Sequence, residues 1–217
     1  MESPLCPGDT IQNDPAFRLI ETLGWRPDEG FRNREGHLTR MARSAGALGL
    51  RFNRQGAEWM LDEVQGATPL RCRLTMDATG SFDLTTAPLT GAPPLWRIAL
   101  AEVRLDPDDV WLRHKTTRRA VYDRARAELR EGVDELLFLN TRSELCEGTI
   151  TNVFVTTRDG RMLTPSLGCG LLPGVLRQHL LDSGQAQEAV LTIADLEQAA
   201  ALHMGNSLRG LIPVQLA

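Results

Sequence analysis

Residues 114–119 read His114-Lys115-Thr116-Thr117-Arg118-Arg119 and hold the only lysine in a chain of 217 residues. Every other member of its 24 Lys and Arg residues is arginine. Arginine replaces lysine on a solvated surface. It forms neither a Schiff base nor a neutral amine base, because its pKa stays above ~12. A lysine kept against that background points to amine chemistry, although composition alone fits a leftover surface lysine equally well.

Working outward, three patterns follow: Glu147-Gly148-Thr149-Ile150-Thr151-Asn152, Leu171-Leu172-Pro173-Gly174-Val175-Leu176-Arg177 and Gly205-Asn206-Ser207-Leu208-Arg209-Gly210. Two precede: Phe17 with Glu21-Thr22, and His37-Leu38-Thr39-Arg40. Pro173-Gly174 opens a helix whose N–H groups suit an anion, and the glycine allows close backbone approach. Arg40 lies roughly 110° from the centre of its helix's apolar stripe, at about 100° per residue. It reads as a solvated edge cation or as one reaching along the protein. Glu147 reads as a functional carboxylate or a loop-end acid, Leu171 as plain core, and Thr151-Asn152 as a turn cap.

The patterning predicts strands over 17–25, 70–76, 82–87, 95–103, 135–140, 152–157 and 211–216. It predicts helices over 36–50, 54–65, 118–131, 175–181 and 194–201. Leu38, Met41, Ala45 and Leu48 form the stripe of the first helix. Residues 158–161 read as a hairpin turn and 91–94 as a linker. Interleaved strands and helices give an α/β, or mixed α+β, class with domains at 1–92 and 93–217, the second carrying the lysine.

The formal charge of −4 and pI near 5.6 give no reason to expect nucleic acid. No run approaches the ~18 apolar residues of a membrane helix, and residues 1–13 lack a signal-peptide pattern. A soluble cytoplasmic protein is expected. Four scattered cysteines and four histidines show no metal-ligand spacing, so no metal is expected.

In this order the motifs resemble the fold-type IV pyridoxal-phosphate enzymes, the aminotransferase class IV family, over roughly residues 17–214. The resemblance implies a D-amino-acid aminotransferase-like fold of two small domains with the cofactor between them, and a homodimer. It assigns Lys115 as Schiff-base lysine and proton shuttle, and Glu147 as the carboxylate on the pyridine nitrogen. Leu171 would pack on the ring. Gly174, the amides of Val175 and Leu176, Asn206, Ser207 and Arg40 would hold the phosphate end. Arg73, Arg97, Arg119, Thr151 and Asn152 are candidates for a small-molecule amine substrate.

Within the family, HKTTRR and NSLRG look more like 4-amino-4-deoxychorismate lyases, which form 4-aminobenzoate and pyruvate for folate synthesis. Ala120 stands where branched-chain or D-amino acid aminotransferases often carry Tyr. Residues 76–86 lack the lyases' Gly-rich loop, and the usual first strands before Phe17 are missing or reduced to residues 1–13. Aminotransferase is the alternative reading, and a non-catalytic homologue binding a small molecule or a partner is the second.

Overall fold

A computed structural model describes Ile11 and residues 14–91 and 93–217. The reading of 1–13 as a leaderless N-terminus, apart from Ile11, and of Ala92 as part of a linker lies outside the described residues. The chain divides into two units. One runs through Thr90 and also takes His114–Arg118; the other takes Gly91–Arg113 and Arg119–Ala217.

The first unit is an antiparallel sheet with two helices. β1 (Leu19–Arg26) is central. It pairs with the short β2 (Gly30–Phe31) and, over seven residues from Leu19↔Met76 to Trp25↔Leu70, with β3 (Leu70–Met76). β4 (Phe82–Pro88) pairs with β3 as the outer strand. α1 (Arg34–Ala47) packs on β1, with His37, Leu38, Arg40, Met41, Ser44 and Ala45 buried. Burying Leu38 and Met41 contributes ~1.5–3 kcal/mol each. Leu48, expected within the stripe, is the C-cap. α2 (Arg54–Asp62) starts where the Asn53 side chain accepts the Gly56 N–H at 3.1 Å.

The lysine segment corrects the sequence reading, which put it in the second domain. Its backbone extends the first unit's β1: the Ile20 N–H donates to the Lys115 carbonyl at 2.8 Å and the Thr117 N–H to Arg18 at 3.0 Å. Thr116 faces Leu19 in an antiparallel bridge. The Thr117 hydroxyl adds a bond to the Ala16 carbonyl at 3.1 Å.

The second unit holds β5 (Trp96–Leu100), α3 (Ala120–Ala127), β6 (Glu135–Leu139), β7 (Leu145–Gly148), β8 (Asn152–Thr156), β9 (Met162–Pro165), α4 (Val175–Asp182), β10 (Gln187–Ala189), α5 (Ile193–Glu197), β11 (Ala201–Asn206) and β12 (Gly210–Leu216). Its sheet runs β10-β9-β8-β11-β12-β5-β6-β7, and β7 pairs back onto β8 through Glu147↔Asn152. The sheet thereby closes on itself. Ile98, Leu137, Leu139, Leu145, Val153, Met204 and Ile212 belong to one buried cluster.

Several expected elements differ. The helix predicted over 194–201 ends at Glu197, and 201–206 is a strand between β8 and β12. Sheet pairing there overrides the helical leaning of an alanine-rich run. The helix predicted over 118–131 starts at Ala120 because Arg118 belongs to the extended lysine segment, and it ends at Ala127. The strand predicted over 95–103 stops at Leu100. The short strands β2, β7, β9 and β10 carry too few residues to show a period. No helix among the described residues is long and apolar enough to cross a membrane.

Candidate active site

Glu147 sits on β7 with its neighbours buried and is itself 5% exposed. Its Oε1 accepts the Tyr122 hydroxyl at 2.7 Å and the Leu172 N–H at 3.0 Å. Its Oε2 takes a longer contact, 3.4 Å, from the Asn152 amide. Donors aimed at a carboxylate favour its ionised form. The loop-end reading of Glu147 therefore fails: this is an interior carboxylate with a built donor set. Burial and the adjacent Glu147 charge push the Tyr122 phenol up, so it stays a neutral donor.

Asn152 links Glu147 to the start of α4. Its amide also donates to the Leu172 carbonyl at 3.0 Å, and its Oδ1 lies 1.9 Å from where a Cβ on Gly174 would stand. Gly174 is required by that close approach and not by its φ of −64°. The residue caps α4, and the first-turn N–H groups of Val175 and Leu176 have no helical carbonyl to bond. Leu171 is fully buried and Ser207 is 7% exposed. Asn206 spends its side chain on the turn before β12, accepting the N–H groups of Leu208 and Arg209 and donating to Ile150 at 3.2 Å. Its oxygen and amide thus shape the loop that carries Ser207.

Behind the Glu147 loop lies Glu135, fully buried, which the sequence reading did not single out. It accepts the N–H groups of Leu136, Thr149 and Ile150 and the hydroxyls of Thr149 and Thr151. Thr151 therefore anchors to Glu135, whereas Asn152 touches Glu147. A Cβ on Gly148 would meet Thr151 Oγ1 at 2.5 Å and Glu135 Cδ at 3.0 Å, which explains the glycine of EGTITN.

In the first unit, Lys115 is partly buried. Arg40 is 7% exposed and so is no solvated edge cation. Its Nε donates to Glu21 Oε1 at 2.9 Å and its Nη2 to Oε2 at 2.5 Å. His37 Nδ1 lies 2.6 Å from Glu21 Oε2. Burial alone would push Glu21 up; the Arg40 and His37 contacts outweigh it and hold the carboxyl at about 2. Burial pushes the His37 imidazole down despite Glu21, and the Arg40 and Lys115 charges act in the same direction. A neutral imidazole then donates its Nδ1–H to Glu21. His114 Nδ1 lies 3.1 Å from the Ser44 hydroxyl of α1.

The arginine candidates scatter. Arg73 lies on β3 of the first unit. Arg97 lies exposed on β5, its backbone bonded to Asp134. Arg119 is joined to the Glu147 cluster: it covers the Tyr122 ring at 5.4 Å, pairs with Asp123 at 2.9 Å and donates to the Thr149 carbonyl at 2.7 Å. The sequence reading missed Tyr122, Glu135 and the Leu172 N–H, and it took Glu21 and His37 only as members of the N-terminal motifs, not as partners of Arg40. A signal existed for Tyr122, which is the only tyrosine in the chain. Among the described residues no group of three or more His, Cys, Asp or Glu is placed to hold a metal.

The aminotransferase class IV family matches residues 18–217. The chain belongs to that family. Membership makes it a pyridoxal-phosphate enzyme of mixed α/β fold. A Mesorhizobium loti structure named "Putative amino-acid aminotransferase" is 46% identical, with TM-score 0.88, over 93% of this chain and all of that one. A Schizosaccharomyces pombe protein named "Putative aminodeoxychorismate lyase" is 31% identical over 80% of this chain and 79% of its own. A hypothetical aminotransferase from Mycobacterium tuberculosis, solved in a PLP-bound form, shares the fold at TM-score 0.76 and 21% identity, over 92% of this chain and 81% of that one.

Proposed function

We propose that this chain is a 4-amino-4-deoxychorismate lyase, working as a cytoplasmic homodimer in the supply of 4-aminobenzoate for folate. The observation that carries its use of pyridoxal phosphate is the buried Glu147 carboxylate with donors from Tyr122, Leu172 and Asn152. A held carboxylate of this kind suits a protonated ring nitrogen. The motifs around Lys115 and Ser207, with the lyase-named relative, favour the lyase.

Lys115 and Glu147 would hold the two ends of the cofactor's ring system, with Leu171 against its face. The Val175 and Leu176 amides, the Ser207 hydroxyl and Arg40 would take the phosphate, and Gly174 opens the backbone to it. The bound cofactor supplies an electron sink for the carbon bearing the substrate amine. The Lys115 amine takes the proton from that ring carbon. The neighbouring carbon–oxygen bond breaks, the ring becomes aromatic, and the departing enolpyruvate takes up a proton to become pyruvate. Glu147 keeps the ring nitrogen's proton in place throughout.

Pyruvate and 4-aminobenzoate released together from aminodeoxychorismate are the expected products, with Lys115→Arg inactive. Turnover of an amino acid with 2-oxoglutarate, and none of aminodeoxychorismate, overturns the lyase reading in favour of an aminotransferase. The 46% identical relative carries that second reading. A protein that stays colourless with added cofactor overturns both. A single monomer peak in size-exclusion chromatography overturns the homodimer.

A further inference from the structure

Tyr122 is the chain's only tyrosine, is 8% exposed, and stands on α3, seven residues after the lysine. Its ring is held on two sides. The Phe138 ring meets it edge-on at 5.3 Å and 74°, and the Arg119 guanidinium lies over it at 5.4 Å. Held this way, the hydroxyl reaches Glu147 Oε1 at 2.7 Å, closer than the Asn152 amide reaches Oε2 at 3.4 Å. The Leu172 N–H shares the same oxygen at 3.0 Å. Two donors on Oε1 fix the rotation of the carboxylate and stabilise its charge. Burial and the Glu147 charge both oppose phenol ionisation, as does Cys146 to a lesser degree, while Arg119 acts the other way.

We infer that Tyr122 is a positioning residue for the reaction: its hydroxyl orients Glu147 and keeps it ionised, so that the proton between them and the cofactor stays on the cofactor's ring nitrogen. This rests on the proposed pairing of Glu147 with that nitrogen. Without the hydroxyl, Glu147 becomes a stronger base and draws the proton toward itself. The ring nitrogen then carries less positive charge, and the electron sink weakens. Leu172 and Asn152 remain, so cofactor binding survives the change while proton abstraction slows. Phe in place of Tyr keeps the ring packing against Phe138 and Arg119.

The test uses Tyr122→Phe in the full chain loaded with cofactor. The expected result is a kcat about ten-fold lower with little change in KM, the loss appropriate to one hydrogen bond to a charged group. Alongside it, the pH midpoint of the bound cofactor's visible band moves upward, because a less positive ring holds the linkage proton more tightly. A purely structural tyrosine would leave that midpoint in place. A cofactor-loaded variant with an unmoved or lowered midpoint overturns the inference.

A second measurement needs no cofactor. With one tyrosine in the chain, alkaline titration of tyrosinate absorbance reads Tyr122 alone. Glu147→Gln removes the adjacent negative charge and the tyrosine should ionise at lower pH than in the wild type. Identical titrations overturn the coupling, whether or not Tyr122→Phe folds. A wild-type protein that takes up no cofactor fails the functional reading, and this inference with it. A visible band with an unmoved midpoint fails this inference alone.

Discussion

Two buried carboxylates, Glu21 and Glu147, are satisfied in different ways. Glu21 meets the Arg40 guanidinium through two nitrogens, plus His37. Glu147 receives a phenol, a backbone N–H and an amide. A guanidinium cancels a carboxylate's charge, whereas neutral dipoles hold the charge without cancelling it. The first arrangement builds a fixed cation–anion pair into the packing of α1 on β1. The second leaves a negative oxygen of the kind the proposed pairing with a cationic ring nitrogen would use. The contrast is between a charge the fold consumes and one it keeps available to chemistry.

Removing Glu21 should break this comparison most sharply. Glu21→Ala leaves Arg40 in its buried place without the carboxylate, and losing one partner of such a pair costs ~3–5 kcal/mol. A large drop in the urea midpoint, with cofactor affinity also weakened through Arg40, is the expected outcome. Stability within 1 kcal/mol of wild type, as an order-of-magnitude bound, would show that the pair is not built into the core.

Acid separates the groups by pH. Glu21's folded pKa, about 2, lies below its ordinary value of 4.5. Its stabilisation is therefore complete above the ordinary value and is lost as pH falls toward 2. The amount is about 3 kcal/mol at one pKa unit per 1.36 kcal/mol. His37 is also lowered, from 6.5, so the folded state resists its protonation and stability starts to fall once pH drops below 6.5. Measured from roughly pH 8 down to 2, stability should decline in two stages, and His37→Gln should flatten the first. An unchanged slope between pH 6.5 and 5 in that variant would remove His37 from the account.

The sequence made the second unit's crowded turns more legible than its architecture. EGTITN and LLPGVLR mark turns where backbone and side chains crowd, and a crowded turn leaves glycines and short polar residues in a fixed local order. Gly148 and Gly174 are such cases, each pressed by a side chain of the same loop system. Tyr122 and Glu135 were not legible in the same way. Both act across distant stretches of chain, and neither has a local period or spacing that reports its partner. Arg40 shows the same limit: helical periodicity gave its angle from the stripe, but only the pairing of α1 with β1 places Glu21 against it. The lysine segment, read with the second domain, groups with the first unit because its backbone pairs beside β1, and so short a pairing carries no boundary signal in composition.

The smallest effect is expected behind the Glu147 loop. Glu135 accepts from five groups, so no single donor is decisive there. Thr151→Val keeps shape but removes the hydroxyl that reaches Glu135 Oε2 at 3.1 Å. Four donors would still satisfy the carboxylate, so the cost should be ~1 kcal/mol in stability, one ordinary hydrogen bond. The valine keeps the bulk beside Gly148, so Glu147 and Asn152 hold their positions and kcat should change less than two-fold, on the order of the noise in such measurements. Asn152→Ala, by contrast, removes the amide that spans Glu147 and the Leu172 carbonyl and should lower kcat several-fold. Equal losses from the two substitutions, in kcat as well as stability, would mean that residues 148–152 respond as one rigid loop. The division between a structural Glu135 and the chemical role proposed for Glu147 would then be lost.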